Sequence, residues 1–389
     1  MFNSHRGIHK VLRRAMLLAL AAGVAPASFA ATNATTVDGL KISGYLDPTY
    51  VFNQDQHVSS FFFADPNAAY RYYHSTFGDV YLDINKALAD GGSIDIQLMP
   101  TRGYGSSFGS AASHNSIINA AVLTLPVNKK IDFIAGQVPA WDGYEAETSP
   151  QMLTITHNLL YDFSEPGYFT GAGGSYTSGM LTVQALLGNS WNTNYTGSNA
   201  STKAPTFEYR VSLAPSSALS FGLFGTVGKS ATLVGGPETT RIYNDFDGTY
   251  TLGAATFNWQ FDLGHQTDGA ANGGNAAWYG TSLLANYRFT KLIGATLRYD
   301  YLNDSHNGGH IATTDTADGF YVPVTAAGVS NGPIRQAVTA DLLLYPLKDT
   351  IVKLEYRYDR ANGAMFLNTA TGAYKKGDNV LAAQVVYSF

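Results

Sequence analysis

Apolar and polar residues alternate along most of this chain. In "DVYLDINKAL", Val80, Leu82 and Ile84 share one parity, and Asp79, Tyr81, Asp83 and Asn85 the other. "SIDIQLMP" sets Ile94, Ile96 and Leu98 against Asp95 and Gln97. "FNWQFDLGH" sets Phe257, Trp259, Phe261 and Leu263 against Asn258, Gln260 and Asp262. "IVKLEYRYDR" sets Val352, Leu354, Tyr356 and Tyr358 against Lys353, Glu355, Arg357 and Asp359. Period two with one apolar face is the mark of a strand. The pattern predicts about sixteen such strands, near 41–52, 74–87, 91–100, 115–126, 130–139, 167–177, 179–189, 204–214, 218–229, 241–252, 254–266, 276–289, 291–302, 334–346, 350–361 and 378–389. Most are roughly twice the usual length of about 5–6 residues, and a tilted strand of about 9–11 residues crosses a bilayer core.

The links between them alternate in length. "ADG", "VNK", Ser178, "PSS", "GA", "TK" and "LKD" are short; 53–73, 101–114, 140–166, 190–203, 230–240, 267–275, 303–333 and 362–377 are long. All the long links then fall at one end. A soluble sandwich has no reason for this, whereas a transmembrane up-and-down antiparallel β-barrel has short periplasmic turns and long extracellular loops.

Both ends of the chain agree with export to an outer membrane. Residues 1–15 carry Arg6, Lys10, Arg13 and Arg14 and no acid. "MLLALAAGVA" and "APASFA" follow, which reads as a secretory signal peptide over 1–30, cut after Ala30. A short segment, 31–40, leads into a barrel over 41–389. The chain ends "NVLAAQVVYSF", within a strand. A closed barrel requires this, because its last strand pairs with its first and leaves no free edge. Tyr387 and Phe389 are expected in the periplasmic aromatic girdle. A terminal Phe after alternating apolar residues also resembles the last strand of bacterial outer-membrane proteins generally, which implies that these two residues are read by the barrel-assembly machinery.

Composition narrows the chemistry. The chain has 24 Lys+Arg and 29 Asp+Glu, a net charge of −5. Without its first 30 residues it has 20 basic and 29 acidic residues, or −9. An acidic chain is a poor partner for nucleic acid. With no Cys, neither a disulfide framework nor a thiolate metal site can form. No cofactor motif is found: "GAGGS" at 171–175 lacks the Lys and helix of a phosphate loop. "NDSHNGGH" brings Asp304, His306 and His310 close in sequence, but histidines in such a loop are expected to be solvated.

"ISGYLDPTYVFN" and "GQVPAWDGYEAETSP…YDFSEPGYFTGAGGSY" resemble the β-barrel porin-2 family, the OmpL-like porins, across nearly the whole mature chain. The resemblance implies an outer-membrane pore of a Gram-negative bacterium and little about its solute. About sixteen strands enclose a barrel wide enough for an aqueous channel. Porins of this strand number are commonly trimers, so a homotrimer in outer-membrane lipid is an expected assembly.

The link at 140–166 corresponds to the third extracellular loop, which in general porins folds into the lumen and narrows it. It carries Asp142, Glu145, Glu147, Asp162 and Glu165, and no Lys or Arg occurs from Ile131 to Thr202. Inward parity gives a basic wall of Arg210, Arg288, Arg298, Lys353 and Arg357. The expectation is a passive channel for small hydrophilic solutes or ions, narrowed between the acidic loop and the basic wall and preferring cations. Two alternatives have other chemistry. An outer-membrane phospholipase-like hydrolase would need a Ser, a His and an Asn, for which Ser330 and Asn331 of "GVSNG" are the sequence candidates. A structural or adhesive barrel would have a filled lumen.

Overall fold

The computed structural model describes residues 35–64, 71–72, 75–99, 117–189, 204–233, 237–311 and 332–389. The proposed signal peptide, Ser330 and Asn331 lie outside them. One antiparallel sheet closes on itself as a barrel of sixteen strands. They are β1 (Leu40–Leu46 continued as Thr49–Asn53), β2 (Val58–Phe62 continued as Val80–Ala87), β3 (Ser93–Leu98), β4 (Ile118–Pro126), β5 (Ile131–Pro139), β6 (Tyr168–Ser178), β7 (Leu181–Gly188) and β8 (Thr206–Ser216). The second half comprises β9 (Leu219–Ser230), β10 (Thr239–Leu252), β11 (Ala255–Gln266), β12 (Ala276–Arg288), β13 (Ile293–Asn303), β14 (Ile334–Leu347), β15 (Thr350–Ala361) and β16 (Gly377–Ser388).

Each strand pairs with its chain neighbours, and β16 closes the ring on β1 through Val380↔Asn53 to Gln384↔Thr49 and then Tyr45↔Ser388. Pro48 interrupts β1 because it has no N–H for the ladder. Its carbonyl still accepts from Val385 N at 3.1 Å.

One boundary differs from the sequence reading. The second strand does not begin near 74 after a loop from 53. The Asn53 side chain accepts from the Asp55 and Gln56 N–H groups at 3.0 and 2.8 Å, a tight Asx turn. Val58–Phe62 then pairs back onto Thr49–Asn53, the chain makes an excursion, and the strand resumes at Val80. Ala64 N donates to Gly78 O at 2.8 Å across the base of that excursion. "VSSFFF" has no clean period-two contrast, so pattern alone passed over it.

The two faces of the wall follow the predicted parity. Phe246, Phe261, Leu283, Leu297, Leu342 and Tyr356 point outward and are exposed. Asp262, Arg298, Asp300, Lys353, Glu355, Arg357 and Asp359 point inward and are buried. Aromatic side chains crowd the short-turn rim, where Tyr250 lies opposite Phe257 and both are exposed. The interior is not uniformly polar. Trp278, Phe224, Leu302 and Tyr243 also point inward and are fully buried, packed with Leu159 and Leu160 from the link after β5.

Candidate functional site

The link from Ala140 to Gly167 crosses the lumen. Its ends are held together, with Ala140 N donating to Gly167 O at 3.0 Å. Between them the chain bonds to one inward-facing strand residue after another. Arg210 of β8 donates to Trp141 O. Gly143 N donates to Asp245 Oδ2 of β10 at 2.9 Å, and the Tyr144 hydroxyl bonds Ser282 of β12 at 2.6 Å. Arg298 of β13 binds Glu145 Oε1 at 2.7 Å, and it also donates to Thr156 O at 2.7 Å and His157 O at 2.9 Å. On β15, Lys353 donates to Ser149 O and Thr154 O at 2.8 and 2.9 Å. Arg357 donates to His157 O at 2.6 Å, and Glu355 accepts from Ile155 N at 2.6 Å and Thr156 Oγ1 at 2.7 Å. Ser149 bonds Asp47 on β1.

The segment then forms one helical turn, α1 (Leu159–Phe163). Asn158 caps it, accepting from Leu160 N and Tyr161 N at 2.8 Å each. Gly280 of β12 makes its seat: a Cβ there would lie 2.3 Å from Leu160 Cδ2. Trp278 Nε1 donates to Ser164 Oγ at 3.2 Å, and Gln260 of β11 donates to Glu165 as the segment leaves the lumen.

The predicted pairing of acidic loop with basic wall is only partly realised. Among the described residues, Arg298–Glu145 is the only ion pair that joins segment to wall. Arg210, Lys353 and Arg357 hold the segment through its carbonyl oxygens instead. Their charges are met by acids of the wall: Arg210 is bidentate on Asp247 at 2.7 and 2.8 Å, and Arg357 pairs with Asp359 at 2.8 Å. Arg357 and Asp359, like Arg298 and Asp300, are two apart on one strand, hence on the same face and roughly 6.8 Å apart along it. An extended guanidinium covers that distance.

Arg288 stands apart from these anchors. It lies at the short-turn rim, over the Tyr345 ring at 4.0 Å, and donates to Lys291 O at 2.8 Å. Glu147 turns toward β4 and β6, accepting from Asn119 Nδ2 at 2.7 Å and from the Tyr168 hydroxyl. Asp162 is buried in α1. His310 corrects the expectation of solvated loop histidines: it is buried, stacked on Trp278 at 4.9 Å, with Nδ1 2.9 Å from Gly269 O.

Asp142 and Glu165 face a second group of acids. Asp245 on β10 lies directly across from Asp262 on β11, both inward and buried, with Glu208 of β8 nearby against Asp142. Burial, then the charge of Asp262, raises the Asp142 carboxyl well above the usual range. Burial, then Asp142, does the same for Glu165. Burial also raises Glu145 to about 7, against the opposing pull of Arg298. Asp245 and Asp247 were not among the residues picked from sequence, although "YNDFDG" carries them at alternate positions that parity places inward. A cavity of about 230 Å³ opens on the short-turn side of the segment, lined by Tyr144, Glu145, Thr249, Asn258, Asn286 and Arg288 among others.

No curated protein matches the chain by sequence. Solved structures share its fold. The anion-selective porin from Comamonas acidovorans aligns with a TM-score of 0.57 at 12% identity, covering 90% of this chain and 99% of its own. The in-vitro folded outer-membrane protein OmpT of Vibrio cholerae, in its trimer form, aligns at 0.55 and 14% identity, covering 90% and 99%. OmpF of Salmonella typhi, in complex with daunomycin, aligns at 0.55 and 12% identity, covering 92% and 100%. The closed sixteen-stranded barrel is thus the fold of outer-membrane porins. Residues 24–389 match a single family along almost the whole chain, and the protein belongs to that family, described as protein of unknown function DUF3138.

Proposed function

We propose that this protein is an outer-membrane porin of a Gram-negative bacterium, a narrow water-filled passage for small hydrophilic solutes or ions that prefers cations. One observation carries the reading: a closed barrel with an apolar outer face and an inward face of Asp, Glu, Arg and Lys, too wide for its own wall side chains to fill. Charges on those inward positions require water, since a bare charge facing lipid costs about 2–4 kcal/mol at the midplane. The signal peptide over 1–30, the OmpL-like stretches at the first strand and at 136–176, and the aromatic C-terminus all fit the same location. In this reading the segment 140–166 is the constriction, Tyr387 and Phe389 are read by the barrel-assembly machinery, and the barrel assembles as a homotrimer. This reading assigns the protein no enzymatic role.

Single-channel recording of refolded protein in a planar bilayer tests this. Stable current steps, with a reversal potential of cation sign in a salt gradient, are expected. A folded barrel that passes no current overturns it. It would leave a second reading, a barrel closed at rest, which the bonds from 140–167 to β1, β8, β10, β12, β13 and β15 favour.

A further inference from the structure

The crossing segment is gripped on one side of the lumen and opposed on the other. On the β13 and β15 side, Arg298, Lys353 and Arg357 donate to its carbonyl oxygens, and Glu145 adds an ion pair. On the β8 to β11 side its acids Asp142 and Glu165 face Glu208, Asp245 and Asp262. Among the described residues on that side, Arg210 has both arms of its guanidinium taken by Asp247, and Arg241 of β10 lies over the Trp278 ring at 4.9 Å.

The hydrogen bonds on that side are short of donors. Gly143 N serves one oxygen of Asp245, the Tyr243 hydroxyl serves Asp262 at 2.7 Å, and Gln260 serves Glu165 and Asp262. Both carboxylate oxygens of fully buried Glu208 complete no hydrogen bond, although the Trp141 backbone N–H faces this group. Neither do Asp142 Oδ2, Asp245 Oδ1 and Gln260 Oε1. Each of these atoms is an acceptor, and the unpaired hydroxyls on the same strands are those of Thr206 and Thr226, the latter directly across from Glu208. Buried acceptors without donors call for water or a cation, and like charges opposed across a strand pair, as at Asp245 and Asp262, call for a counter-charge.

We infer that a cation slot, closed to bulk water at rest, lies between the segment 140–167 and the wall of β8 to β11 among Asp142, Glu165, Glu208, Asp245 and Asp262, and that the basic wall serves to anchor the segment. This rests on the porin reading and assigns its solute class: small inorganic cations or alkylammonium ions. All the free acceptors are oxygens, which suit hard cations.

The absence of cysteine from the chain allows a test that does not depend on current. Glu208→Cys introduces a unique thiol. A methanethiosulfonate reagent then forms a mixed disulfide with it and releases methanesulfinate. A trimethylammonium reagent should react faster than a sulfonate reagent by at least about tenfold, because an acid-lined cleft concentrates cations. Thr339→Cys, as buried as Glu208 but set beside the Arg298 guanidinium rather than among the acids, should stay unmodified. In parallel, Glu208→Gln combined with Asp245→Asn should lower the potassium-to-chloride permeability ratio several-fold while current persists. An unreactive Glu208→Cys, equal rates with the two reagents, or an unchanged permeability ratio overturns the slot. Fast cationic labelling of a barrel that is silent in the bilayer keeps the slot and overturns the porin reading alone.

Discussion

Arg298 and Glu145 meet at 2.7 Å with both side chains buried, joining the middle of β13 to a segment that leaves the wall after β5. The guanidinium is shared with Asp300 Oδ2 at 3.1 Å, so one cation answers two carboxylates and several carbonyl oxygens. This contact fixes the height of the segment in the lumen.

Arg298→Ala should therefore release the segment. Removing one member of a buried pair strands the other charge, at a cost of about 3–5 kcal/mol. The expected outcome is a lower denaturant midpoint together with larger, noisier current steps. Unchanged steps would mean that the segment holds its place without Arg298.

The seat of α1 gives a steric prediction. Gly280→Ala puts a Cβ 2.3 Å from Leu160 Cδ2 and 2.6 Å from Tyr301 O. Overpacking of this kind costs roughly 1–3 kcal/mol. Leu160→Ala on the Gly280→Ala background should recover part of that, and a double-mutant cycle on urea midpoints measures the coupling. Full additivity would show that the two residues do not meet.

Acidification should weaken cation preference. Burial raises Glu145 to about 7 from an ordinary 4.5. Below that pH it takes up a proton, the lumen loses a negative charge, and the reversal potential in a salt gradient shifts toward the anion side. The folding linkage runs the opposite way: the ionised form is the costly one, so this group's contribution to stability declines as pH rises from about 4.5 to 7 and is level above. Glu145→Gln should remove the part of the titration centred near 7.

Opposite faces of β12 should respond oppositely to charge. Leu283 points outward and Ser282 inward. Leu283→Arg should destabilise the barrel in lipid by about 2–4 kcal/mol if this point lies near the midplane. In detergent the cost should shrink. Equal stability in lipid would place the strand outside the hydrocarbon.

Phe389 contributes to closure of the ring. Phe389 exchanges backbone hydrogen bonds with Gly44 at 3.0 Å each way, and its ring lies where a Gly44 side chain would be. Phe389→Ala keeps those bonds and removes the ring. The yield of heat-modifiable barrel from cells should fall well below wild type while refolding from urea proceeds. Equal loss in both would assign the ring to packing alone.

Strand parity, the lengths of the links and the strand at the C-terminus were legible because each is local. Period two fixes which side chains share a face, so Arg298 and Asp300, or Lys353, Glu355 and Arg357, could be placed inward from their spacing alone. The Asx turn at Asn53 was missed because its signal is one side chain bonding two N–H groups in a polar run. What only the tertiary structure decided is which inward residues meet. Glu145 reaches Arg298, and Trp141 O reaches Arg210, across separations of 153 and 69 positions. Periodicity holds no information at that range. Ring closure decides which strands face each other, and a segment free to cross the lumen chooses among them by where its carbonyls, its helix and its carboxylates find donors, space or a counter-charge.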